Sequence, residues 1–404
     1  MQQMEFPRPL RTSPAYARQQ ELGACFFESA GWERPHWYGA NEGLLANGPS
    51  GPARAGWTAR YWSPIIGAEH RATRERVALF DLTPFGKIEV SGPNALAYLQ
   101  GLTSNQMDQP VGKVTYTSLL NQRGGIVCDL TVTRLGSDQF WVVTGGSSLY
   151  LDLAWLRQQL PADGSVTLGN VSSATCCFGL WGPLAREVLK RVSDDDLSNE
   201  GFPYFTSRPV TIGYVPARAS RISYVGELGW EIYAQTEYGL ALWDTLWQAG
   251  QSAGLIAAGG GAFETLRLEK GYRLWGADIH TEYTPDEAGL GFAVRARKGE
   301  FLGRSALVEQ RSRGVSRKLS CLTLDDPSVV VMGKEPILDG SRVLGYVTSA
   351  NYGYTVGKSI VYGYLPPEYA REGTRVQVYF FGTLHGAIVA REPLFDADNV
   401  RPRS

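Results

Sequence analysis

The sequence predicts an α+β architecture with a small all-β domain at its C-terminal end, on three observations. A strand–helix unit carrying the string G-P-x-A-x-x-x-L occurs twice, at Gly92, Pro93, Ala95, Leu99 and at Gly182, Pro183, Ala185, Leu189. Each copy follows an apolar strand and opens a helix, as duplicated halves of one α+β domain would. Strand and helix then alternate over residues 220–275, and after about 315 only short, turn-separated strands remain. At 404 residues the chain is too long for one ordinary core.

Three regions follow. Residues 1–70 read as an aromatic-, Pro- and Gly-rich connector, with a short helix near 14–30 and then loops that wrap another part of the molecule. Residues 71–315 form the α+β region in two subdomains. Its first strand, about 86–91, leads into a helix at Gly92-Pro93, where a proline costs no hydrogen bond because that N–H is an orphan anyway. In "NQRGGIVCDLTVTR" (121–134) Gly124 and Gly125 supply a turn into a strand. By period two, Ile126, Cys128, Leu130 and Val132 share one face, and Val127, Asp129, Thr131 and Thr133 the other. A further strand is expected over 220–234, then a helix over 238–254. The next helix, over 261–275, has Phe263, Leu266, Leu268, Tyr272 and Leu274 as its apolar face. Residues 316–404 predict a small barrel or sandwich.

Composition narrows the function. A net charge of −1 argues against nucleic acid as partner. Cys25, Cys128, Cys176, Cys177 and Cys321 form no C-x-x-C pair and read as reduced thiols. His36, His70, His280 and His385 are scattered without metal-ligand spacing, so no metal site is expected. No segment reaches the length of a membrane span and no apolar signal core opens the chain, which predicts a soluble, cytoplasmic protein. No G-x-G-x-x-G or Walker loop joins a strand to a helix, so no flavin, nicotinamide or ATP site is expected on this chain. G-x-S-x-G is also absent.

Two acids stand out. Asp129 lies on the polar face of its strand, where a solvated carboxylate would be ordinary. In "YVGELGWEIY", Glu231 and Tyr233 point to one side of a strand and Trp230 and Ile232 to the other, with Tyr224 nearby. An ionised carboxylate only accepts hydrogen bonds, which matches a flat heterocycle presenting a ring N–H and an amino group, as a pterin does.

The segments "FDLTPFGKIEVSGPNALAYLQGL", "LLNQRGGIVCDLTV", "SRISYVGELGWEIY", "LRLEKGYRLWGADI", "TPDEAGLGFAVRARKGEFLGRSAL" and "GYTVGKSIVYGYLP" occur together and in this order. They resemble the folate-dependent aminomethyltransferase family typified by the glycine-cleavage T-protein. Within it they are most similar to the folate-binding C-terminal half of dimethylglycine and sarcosine dehydrogenases and oxidases. The resemblance covers nearly the whole chain. It implies a three-domain cloverleaf with tetrahydrofolate in a central opening and Asp129 as the essential acid, with Leu130 and Thr131 continuing that contact. It further implies that Tyr224 and the run Glu231, Ile232, Tyr233 grip the pterin and that Phe292 packs on the folate. Phe263 stands where the T-protein carries a ligand-contacting arginine, so the lipoyl-linked reaction is not carried over.

The implied activity is transfer of a methylene or methyl group from an N-methylated small molecule to N5 of tetrahydrofolate. A neutral amine leaves poorly, so two routes are open. In one, a flavin-dependent oxidase or dehydrogenase partner supplies an iminium, and 5,10-methylenetetrahydrofolate forms. In the other, an O- or S-methyl donor with a good leaving group is demethylated directly to 5-methyltetrahydrofolate. A non-catalytic folate-binding accessory role is the third possibility.

Overall fold

The computed structural model describes residues 8–47 and 51–404. Three β-structures organise them: a five-stranded sheet, a six-stranded sheet and a closed six-stranded barrel.

The two open sheets repeat one plan. In the first, the strand Gly86–Ser91 leads into the helix Ala95–Leu102, and a three-strand meander returns so that its last strand, Gln139–Thr144, pairs with the first. In the second, Thr175–Trp181 leads into Ala185–Lys190, and the meander ends on Gly229–Gln235, which pairs with Thr175–Trp181. The two G-P strings play one part in both copies. Gly92 and Gly182 have φ of +124° and +138°, and an added Cβ would lie 2.3 Å from the carbonyl of Ser165 or of Arg76. That same carbonyl accepts the N–H two residues on, from Asn94 at 3.3 Å and from Leu184 at 3.1 Å. Only glycine admits the crossing chain so closely.

Each open sheet packs one face on helices. Phe140, Val142, Leu130 and Val132 meet Leu99, Leu153 and Leu156 behind the five-stranded sheet. Phe178, Trp230 and Ile232 meet Leu242, Trp243 and Val188 behind the six-stranded one. Fully burying one such apolar side chain contributes about 1.5–3 kcal/mol. The other two faces are turned toward each other and share a third cluster, in which Trp141 and Val143 of one sheet meet Phe80, Trp181 and Tyr233 of the other.

The barrel strands, from Lys318–Leu324 to Thr383–Val389, close by pairing first with last. The barrel is fastened to the helix Gly260–Glu269 by buried polar bonds. Arg267 donates to Ser349 at 2.9 Å, and Glu269 accepts from the Thr355 N–H at 2.7 Å. The N-terminal arm lies across the start of the same helix, where buried Glu69 accepts from the N–H groups of Tyr38 and Gly259 and from Asn41.

Three expected elements differ. The helix near 14–30 stops at Glu21. Gly23 (φ +68°) ends it, and Ala24–Ser29 pairs with Trp32–Tyr38 in a hairpin turned by Ala30 and Gly31, both at positive φ. The strand expected over 220–234 is two antiparallel strands, Val215–Ser220 and Gly229–Gln235, joined by a loop that carries Tyr224. The helix expected over 261–275 ends at Glu269, because Gly271 (φ +67°) turns the chain, which leaves Tyr272 and Leu274 outside. Of the 1–70 connector, residues 1–7 and 48–50 lie outside the described residues.

Candidate active site between the facing sheets

Asp129 sits mid-strand in Ile126–Arg134, whose burial alternates as its sequence does. Cys128, Leu130 and Val132 are buried against helices, while Val127, Asp129 and Thr131 are half-buried on the inner face. Register places Ser118 directly opposite Asp129 and Tyr116 opposite Thr131. The Tyr116 hydroxyl donates to Asp129 Oδ2 at 2.9 Å, and its ring stacks with Phe292 at 6.1 Å, 20° from parallel. Phe292 is 63% exposed, so it forms a rim rather than a wall.

Glu231 and Tyr233 occupy the facing surface of the six-stranded sheet, and both are buried. The Tyr233 hydroxyl donates to Glu231 Oε2. Trp141, on the Asp129 side, packs against Tyr233 with ring centroids 4.9 Å apart, so the two acid-bearing faces meet directly at this point. At the far end Tyr224 donates to the Arg273 carbonyl at 2.5 Å and stacks on Phe263 at 5.1 Å. Tyr224 is in electrostatic range of Asp129, and so is Tyr116 of Tyr224. The arrangement sets two carboxylates on facing sheets, with Trp141 and Tyr233 packed between those sheets and the Tyr116–Phe292 and Tyr224–Phe263 ring pairs beside them.

Burial dominates the electrostatics. It raises Asp129 to about 6 against the Tyr116 hydrogen bond, which lowers it. It raises Glu231 to about 7 against the Tyr233 hydrogen bond. Both acids therefore titrate near neutrality, as proton-handling groups do.

Two of the expected contacts take a different form. The side chains of Leu130 and Ile232 point into the helix-packed cores, away from the facing surfaces that carry Asp129 and Glu231. Sequence reasoning passed over Tyr116, Ser118 and Trp141. Counting back through the "NQRGG" hairpin would have put Tyr116 and Ser118 beside Asp129, whereas Trp141 had no local signal.

The residues present suit a flat, polar-edged ligand such as a pterin. Among the described residues, Glu231 has only Tyr233 as a hydrogen-bond partner, and the buried Ser118 hydroxyl and Trp141 Nε1 have none. Buried polar groups left this way match an incoming partner.

The sequence matches the family described as GCVT N-terminal domain over residues 15–298. The Glycine cleavage T-protein C-terminal barrel domain matches over residues 317–396. Dimethylglycine dehydrogenase, mitochondrial, of Homo sapiens is 33% identical over 395 residues, covering 97% of this chain and 45% of that protein. The 4-methylaminobutanoate oxidase (formaldehyde-forming) of Paenarthrobacter nicotinovorans is 37% identical over 402 residues, covering 99% of this chain and 48% of that one. This chain thus spans about half the length of these two relatives. An aminomethyltransferase of Symbiobacterium thermophilum is 32% identical over 397 residues, covering 97% of this chain and 99% of that protein. The solved glycine cleavage system aminomethyltransferase T from Bartonella henselae superposes with a TM-score of 0.81 at 28% identity, covering 96% of this chain and 99% of that one.

Proposed function

The chain belongs to the glycine-cleavage T-protein family of folate-dependent aminomethyltransferases, and on that premise we propose that it moves a one-carbon unit from an N-methylated amino acid to tetrahydrofolate. The observation that carries this reading is the pair of carboxylates, Asp129 and Glu231, raised by burial and set on facing sheets among aromatic rings.

Tetrahydrofolate, when bound, supplies the nucleophilic nitrogen that takes up the carbon. Glu231 accepts from the N–H groups of the pterin edge, which favours its ionised form. Tyr233 holds one Glu231 oxygen and leaves the other for the ligand. Tyr116 fixes Asp129 through Oδ2, and among the described residues no side chain occupies Oδ1. With its affinity for protons near 6, Asp129 is mostly ionised at neutral pH. It steadies positive charge on the reacting nitrogens and accepts and returns a proton there. Phe292 and Tyr116 cover the outer part of the ligand, and Tyr224 and Phe263 the inner wall.

The donor class follows from the names of the relatives, since dimethylglycine and 4-methylaminobutanoate each join an N-methyl group to a carboxylate. A flavin-dependent oxidase or dehydrogenase, joined to this chain or separate, is the proposed source of the electrophile, which arrives as an iminium. Transfer then moves CH2 from the iminium to the folate and two protons from the folate nitrogens to the departing amine.

Asp129→Asn tests the reading. Turnover should fall about 100-fold or more while tetrahydrofolate affinity stays within about threefold. Unchanged turnover would remove Asp129 from the chemistry. Turnover of O- or S-methyl donors by the chain without an oxidase would favour direct demethylation, and folate binding without turnover on any donor would favour the accessory role.

A further inference from the structure

A second polar cluster lies where the arm crosses the start of the helix Gly260–Glu269. Arg34 and His36 of the strand Trp32–Tyr38 both approach the Phe27 ring, the guanidinium at 5.8 Å and the imidazole at 5.2 Å from its centroid. His36 Nε2 is 2.9 Å from the Tyr61 carbonyl oxygen, which can only accept, so Nε2 carries the proton and Nδ1 is a bare acceptor. Nδ1 is buried and has no hydrogen-bond partner among the described residues. Burial and neighbouring Arg34 keep the imidazole neutral. Glu264, in the second turn of the helix and 34% exposed, is bonded to Arg267 and lies in electrostatic range of His36.

Arg34 differs from buried Arg74, Arg221, Arg267 and Arg273, of which Arg221 donates to the backbone oxygens of Phe202 and Ser404. Arg74, Arg267 and Arg273 each touch a carboxylate. The Arg34 guanidinium is half-buried with the Phe27 ring 5.8 Å away and Asp81 in electrostatic range, yet it makes no hydrogen bond or ion pair to the described residues. Five donors so placed match a carboxylate, which takes the guanidinium fork in two parallel bonds.

The cluster neighbours the Tyr224–Phe263 ring pair. Glu264 follows Phe263, which stacks on Tyr224, and Tyr224 is in electrostatic range of both Glu264 and Asp129. It therefore lies on the Tyr224 side of the two acids, whereas exposed Phe292 stacks on Tyr116 beside Asp129.

We infer that Arg34, His36 and Glu264 form the donor subsite: Arg34 takes the carboxylate of the iminium formed from an N-methylamino acid, Glu264 attracts its cationic nitrogen, and His36 Nδ1 accepts from an N–H of the amine that transfer releases. A guanidinium and a carboxylate flanking a neutral acceptor mirror the charge order of such a molecule. The inference rests on the transferase reading and adds to it the residues that select the donor.

The test is calorimetric titration of the tetrahydrofolate-saturated chain with sarcosine, dimethylglycine and 4-methylaminobutanoate, and with dimethylamine, which is sarcosine without its carboxylate. At least one of the acids should bind about tenfold or more tighter than dimethylamine, a difference of about 1.4 kcal/mol. Arg34→Met should bring them within about threefold and Arg34→Lys should restore part of the preference, with tetrahydrofolate affinity and melting temperature unchanged in both. Retention of the preference in Arg34→Met, or its absence in the unsubstituted chain, would overturn the subsite. Failure of the unsubstituted chain to bind tetrahydrofolate would instead overturn the transferase reading.

Discussion

The Tyr116 hydroxyl donates to Oδ2 of Asp129 at 2.9 Å from the neighbouring strand, offset by two pairs in the ladder. That bond favours the ionised carboxylate and opposes burial, which favours the acid. Tyr116→Phe removes the donor, so Asp129 should rise further above about 6. The acid limb of the pH–rate profile should move to higher pH, with activity near pH 6 falling more than activity at pH 8. An unmoved limb would mean that Asp129 is not the titrating group.

Glu231 should be the stronger determinant of affinity. A carboxylate accepting charge-assisted bonds contributes about 1.5–3 kcal/mol per bond. Glu231→Gln should therefore weaken tetrahydrofolate binding about 10- to 100-fold. Because burial holds the acid near 7, binding by the unsubstituted chain should tighten as pH rises from 6 to 8. The glutamine variant should show no such slope. Fluorescence titrations at three pH values would decide both points.

Asp129 should cost stability in the free protein. Its folded value of about 6 lies above the ordinary 3.8, so ionisation opposes folding. The cost is absent below about pH 4, where both states are protonated, and complete above about pH 7. The shift corresponds to roughly 1–3 kcal/mol for this half-buried group. Asp129→Asn should accordingly melt higher at pH 8 and unchanged at pH 4. Equal melting of the two chains at pH 8 would contradict the assigned desolvation.

Gly229→Ala probes how the backbone presents Glu231. Gly229 opens the strand at φ +152°, and a Cβ there would lie 1.9 Å from the Leu180 carbonyl. The change should destabilise the protein by about 2–4 kcal/mol and weaken folate binding, because Glu231 is two residues away. Gly43→Ala, with nothing within 4 Å of the added carbon, is the control and should be near neutral. Chemical denaturation of both variants would check this.

Much of this protein was legible in one dimension. Period-two alternation put Asp129 opposite Leu130 and Glu231 opposite Ile232, and the two G-P strings marked two copies of one strand–helix unit, since both patterns depend only on nearby residues. The hairpin at Ala24–Tyr38 and the split at residues 221–228 were missed because single glycines and tertiary pairing overrode local propensity. What the tertiary structure alone decided is that the faces bearing Asp129 and Glu231 are turned toward each other, with Trp141 meeting Tyr233 between them. A strand's pattern states which residues share a face. Helices packed on the backs of both sheets determine what that face looks at, and they do so through contacts far apart in the chain.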